Sequence, residues 1–121
     1  MKNILAVPEN TVINTVDDML DLMMNMQHQH NCNTLIIDSK QLNPAFFDLK
    51  TGFAGEMLQK FSTYRMRLGI TGDFSVYRSK SLHDFIRESN KRGKIVFADT
   101  AENAKALIGA QPERLNMNNP Q

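Results

Sequence analysis

The sequence predicts an α/β domain of about four mainly parallel strands alternating with helices, and three observations carry that prediction. Short apolar or β-rich runs recur at Asn3 to Val7, Thr34 to Ile37, Arg67 to Thr71 and Lys94 to Ala98. Each is followed by a segment whose apolar residues fall at helical spacing. At 121 residues, 41% of them apolar, the chain suits one domain around one core.

The elements follow in order. Asn3 to Val7 reads as a strand stopped by Pro8. Asn14 then caps a helix, with Asp17 and Asp18 set against the positive end of its dipole. Val16, Met19, Leu20, Met23 and Met24 form one apolar face of that helix. The methionines there read as core filler, with an adaptable binding surface as the alternative. Thr34 to Ile37 is a buried strand ending at Asp38, and Pro44 to Phe47 is a short helical turn. A longer helix runs from about Lys50 to Tyr64 with Phe53, Met57, Leu58 and Phe61 inward. The strand Arg67 to Thr71 is stopped by Gly72-Asp73. A helix from about Lys80 to Lys91 follows, capped by Ser79 or Ser81 and ended by Gly93. After the strand Lys94 to Ala98, Asp99 or Thr100 caps a last helix bearing Ala101, Ala104, Leu107 and Ile108. The domain thus spans 1–109. Residues 110–121, with two prolines and three asparagines, read as a flexible C-terminal tail.

Composition narrows the function. No apolar run approaches the ~18 residues of a membrane span, and Lys2 is followed by no apolar core of a signal peptide. Fourteen Lys+Arg against 13 Asp+Glu leave a net charge of +1, too little for a bulk grip on nucleic acid. The basic density at Arg65, Arg67, Arg78, Lys80, Arg87, Lys91 and Arg92 is offset by Asp73, Asp84 and Glu88. Cys32 is the only cysteine, which excludes an internal disulfide and fits a reducing cytoplasm. His28, His30 and Cys32 alternate at a helix end, where such spacing does not converge on a metal, so no metal and no cofactor are expected.

Alternating strands and helices place every strand-to-helix loop at the carboxyl edge of a parallel sheet, where open α/β folds hold ligands. That edge collects Asp38 and Ser39, then Asp48, Lys50, Thr51 and Gly52, then Gly72, Asp73 and Ser75, then Ser79, Lys80 and Ser81, and finally Asp99 and Thr100. Lys50-Thr51-Gly52 and Ser79-Lys80-Ser81 each bring hydroxyls and a lysine to a helix N-terminus, whose free N–H groups favour anions. Ordinary helix capping explains the same residues, and no phosphate-loop glycine pattern accompanies them. Asp48 and Asp73 have the chemistry of an acid–base pair, yet two loop caps look no different. Glu56, Gln59, Lys60, Tyr64 and Arg65 read as the solvated face of the long helix. The strands ending at Asp38 and Thr71 are expected to be neighbours, so Lys50 to Gly52 and the loop Gly72 to Ser79 should face one hollow, with Asp73 near Lys50.

Phe46-Phe47-Asp48-Leu49-Lys50-Thr51-Gly52-Phe53-Ala54-Gly55-Glu56-Met57-Leu58-Gln59-Lys60-Phe61 resembles the signature of an uncharacterised bacterial family, DUF 4180. So do Gly72 to Asn90 and Asp18 to Met23, so the likeness covers most of residues 4–98. The layout also resembles a STAS domain, the module of anti-sigma-factor antagonists and anion-transporter tails. That likeness implies a strand ending at Asp38 and a loop delivering Thr51 as a phosphoacceptor beside Lys50. Chains of both kinds usually begin with one more edge strand, so pairing of a bare N-terminal sheet edge in a homodimer is expected.

Two functions follow. The first is a STAS-like regulatory or protein-interaction module without catalysis. The alternative is a small-ligand or phosphate-binding domain, possibly an enzyme, using Asp48, Lys50, Thr51, Asp73, Ser75, Ser79 and Lys80.

Overall fold

The structure is a computed structural model describing residues 4–109. The expected tail lies outside those residues. Four strands, β1 (Ile4–Ala6), β2 (Thr34–Asp38), β3 (Arg67–Thr71) and β4 (Ile95–Ala98), alternate with four helices. The helices are α1 (Val16–His30), α2 (Phe53–Thr63), α3 (Lys80–Arg92) and α4 (Ala101–Gly109). All strand pairings are parallel, in the order β1-β2-β3-β4, with Leu35 beside Leu68 and Ile70 beside Phe97. Consecutive order is what right-handed crossovers on a single face produce, because each new strand adds on the same side of the last.

The sheet's side-chain alternation sorts the helices. Leu35, Ile37, Leu68, Ile70, Ile95 and Phe97 point to one face and pack with Met19 and Met23 of α1, Met57 and Phe61 of α2 and Leu82 of α3. The buried methionines bear out the core reading of that stripe. Ile36 and Val96 point to the other face and pack with Ala104 and Ile108 of α4. Gly69 makes this second layer possible. A Cβ there would lie 2.7 Å from Ile36 Cδ1 and 3.0 Å from Ala104 Cβ, so only hydrogen lets α4 approach β3 this closely.

Local chemistry sets the helix ends. The first cap is Thr15, not the expected Asn14. Its hydroxyl accepts from the Asp18 N–H at 3.0 Å, and the Asp18 carboxylate accepts from the Thr15 N–H at 3.1 Å. This reciprocal pair satisfies two free donors, which Asn14 does not match. Ser79 caps α3 and left-handed Gly93 ends it. Thr100 accepts from the Asn103 N–H at the start of α4. Helix α2 begins at Phe53 rather than near Lys50, because left-handed Gly52 separates it from a short 3-10 turn, Leu49–Thr51.

The outer edge of β4 is closed by α3. The Asn90 amide accepts from the Phe97 N–H at 2.7 Å and donates to the Phe97 carbonyl at 3.2 Å, as a neighbouring strand would. The Ser89 hydroxyl donates to the Ile95 carbonyl at 2.5 Å. These bonds remove a template for unwanted strand pairing.

Candidate functional site

Adjacent strands β3 and β4 send their chains to opposite faces of the sheet, β3 toward α3 and β4 toward α4. Loops that part in this way leave a crevice at the carboxyl edge, as at the switch point of a doubly wound sheet. A hollow of about 770 Å³ opens there. Gly72, Asp73, Phe74, Val76 and Tyr77 line it from the β3 side, Phe97, Ala98 and Asp99 from β4, and Asp38, Ser39 and Lys40 from β2.

Three of its lining residues are aromatic: Phe74, Tyr77 and the nearly buried Phe97. Phe74 meets Phe97 edge to face at a centroid distance of 5.4 Å, and Tyr77 stacks on Phe47 at 4.9 Å. Such pairs add about 0.5–1.5 kcal/mol beyond area burial and hold the loop on the core. His83 of α3 contacts the Tyr77 carbonyl at 2.6 Å, which requires a proton on Nε2. Burial raises the Tyr77 phenol above its usual range. Val76 stands at the rim, 66% exposed.

Three aspartates also line the hollow, each anchored through one oxygen. Asp38 Oδ1 accepts from the Lys40 N–H at 2.9 Å. Asp73 Oδ1 accepts from the Ser75 N–H at 3.0 Å and from its hydroxyl at 2.5 Å. Asp99 Oδ1 accepts from the Asn103 side-chain amide at 2.6 Å. The Ser75 hydroxyl and N–H hold the Asp73 carboxyl below the ordinary range, so it stays ionised well into acid. No group of three or more potential ligands among the described residues is disposed to hold a metal.

Gly72 and Asp73 therefore line the hollow, and Ser75 fixes Asp73. Lys50, Thr51, Gly52 and Asp48 are not among its lining, and no ion pair joins Lys50 to Asp73 among the described residues. The chain from β2 to α2 makes three 3-10 turns, Ser39–Gln41, Pro44–Phe47 and Leu49–Thr51. The first occupies the space beside the β3 loop, and the third lies further along. Asp48 accepts from the Lys50 N–H at 3.2 Å, the same turn that Asp38 and Asp73 make. The Thr51 hydroxyl lies 2.8 Å from the carbonyls of Ala45 and Asp48 and accepts from the Phe53 N–H. Ser79 caps α3, Lys80 pairs with Asp84 at 2.8 Å, and Ser81 is exposed on the same helix. Asp38, Ser39, Lys40 and Asp99 are its other polar lining residues. Asp38, Ser39 and Asp99 were legible as strand-end residues. Phe74, Tyr77 and Phe97 carry no charge and no spacing signal, and were not legible as lining residues.

An α/β domain of four parallel strands with such an edge defines a broad class. The family narrows it: residues 1–108 match the profile described as "Domain of unknown function (DUF4180)", and the chain belongs to that family. No curated protein and no solved structure matches it significantly. No helix among the described residues is long and apolar enough to cross a membrane.

Proposed function

We propose that the chain is a STAS-like interaction module that binds a protein partner without catalysis, with the carboxyl-edge hollow as its recognition site. One observation carries this reading: the hollow sits where β3 and β4 part, lined by the half-buried Phe74 and Tyr77 and by the exposed Val76. Apolar surface beside fixed polar groups is the composition of a recognition centre. The alternative phosphate site receives less support. Three aspartates around the hollow repel an anion, and the Lys50-Thr51-Gly52 turn uses its hydroxyl locally.

Affinity capture from a bacterial lysate tests the reading with three baits: wild type, Val76→Arg at the rim, and Glu56→Lys on the exposed side of α2. A protein held by wild type and Glu56→Lys but lost with Val76→Arg supports it. Identical capture by all three, or none, counts against it. Val76 is exposed, so its replacement leaves the core untouched.

A further inference from the structure

We infer that the outer edge of β1 pairs antiparallel with β1 of a second copy of this chain, joining two sheets into one. The inference is independent of the hollow and concerns a different border of the sheet. Along a strand, the N–H and C=O of one residue point to one side and those of the next residue to the other. The Val7 N–H donates to the Ile36 carbonyl at 2.8 Å, so Val7 and Leu5 face β2. Ile4 and Ala6 therefore turn their N–H and C=O outward, where these groups take no hydrogen bond among the described residues. The border at β4 differs, because Asn90 already occupies the Phe97 N–H and carbonyl.

The spacing of these groups suits a second copy. A two-fold axis through Leu5, normal to the sheet, sets Ile4 opposite Ala6 of the other copy, and Ala6 opposite its Ile4. Each such pair exchanges both of its N–H···O bonds, so every outward donor and acceptor of the edge is satisfied. A large side chain then stands beside a small one at both pairs, on the face where α4 packs over β3 and β4. On the opposite face, Leu5 meets Leu5. Because Asn90 occupies the border at β4, the pairing closes at two copies and does not run on as a fibre.

The helix beside the edge provides a second, separate observation. Met19 and Met23 mark the buried line of α1, with Leu20 and Met24 on one side of it and Leu22 and Met26 on the other. A right-handed crossover from β1 to β2 turns the Leu20 side toward α2 and the Leu22 side toward the outer edge of β1. Leu5, Leu22 and Met26 are all half-buried, so apolar side chains border the unpaired backbone on that face. The two-fold axis brings the same side chains of a second copy against them, and both sets leave water together. A foreign extended segment would fill the backbone bonds but bring no helix to cover Leu22 and Met26.

Light scattering coupled to size exclusion of the full chain is the test, with the wild type expected at twice the chain mass. Ala6→Pro removes an outward N–H and spares the bonds of Leu5 and Val7 to β2, so it should run as a monomer with an unchanged circular dichroism spectrum. Leu22→Lys touches no backbone bond and should raise the dissociation constant by roughly tenfold or more, so the test stands even if the proline variant fails to fold. Leu5→Cys sets two thiols across the axis in a non-hydrogen-bonded pair, whose Cα separation of about 4.5 Å admits a disulfide. Mild oxidation should link two such chains and leave Ala6→Cys, which faces Ile4, unlinked; Cys32 is buried and does not compete. A wild type that is monomeric at every concentration overturns the pairing. So does a dimer that withstands both Ala6→Pro and Leu22→Lys, or one that links through position 6 as readily as through position 5.

Discussion

At Gly69 the absence of a side chain lets α4 pack closely on β3. Its absent Cβ would meet Ile36 Cδ1 and Ala104 Cβ, in side chains that are 5% and 0% exposed, so both must shift to admit it. Gly69→Val is therefore expected to lower stability by about 1–3 kcal/mol through overpacking, read as a fall in the urea midpoint. An unchanged midpoint would mean that α4 does not pack on β3 as described. The sequence displayed Gly69 inside a strand without saying what approached it, because the approaching helix lies 32 residues further on at its start. The first cap was more legible than the reading made of it. Asn14 and Thr15 are both good caps, and the deciding signal was the acid three residues after Thr15, which closes the reciprocal pair.

Among the elements, α3 carries the strongest electrostatic signature. Hydrogen bonds from Lys80 and then Arg87 hold the Asp84 carboxyl below its ordinary value of 3.8. The folded pKa is the lower one, so the stabilisation is present above the unfolded value and is lost as pH falls through the folded value. Chemical denaturation from pH 6 down to pH 2 should show a loss of stability in the wild type that is reduced in Asp84→Asn. Parallel curves would contradict the role of these bonds. The strand Arg67–Thr71 was legible from its β-rich run and the turn Pro44–Phe47 from the proline that opens it, and both stand where the sequence placed them. The turns Ser39–Gln41 and Leu49–Thr51 were not. Each is three residues long and shows no periodicity, and each starts at an aspartate whose side chain accepts from the N–H two residues on. That local bond is available to any Asp in a loop, so it does not announce a turn. Missing them shifted Lys50 to Gly52 into the hollow in the sequence reading, where Ser39 and Lys40 stand instead.

For the whole molecule, alternation of strands and helices predicted the parallel sheet and the adjacency of β2 and β3. It did not predict the face taken by α4. Handedness constrains a helix only between two strands, and among the described residues α4 has no strand after it. What places it is the apolar match of Ala104 and Ile108 to Ile36 and Val96 over Gly69. That placement parts the loops after β3 and β4 and creates the hollow, so the candidate site is a consequence of the least legible step in the fold. The most direct test is to replace Val76 at the rim, in bacterial cells, with a photoreactive benzoylphenylalanine and to map the cross-links by mass spectrometry. Val12, 60% exposed and absent from the lining of the hollow, is the control position. The account predicts a cross-link from position 76 to one protein, absent from position 12. The same products from both positions, or none from position 76, would contradict it.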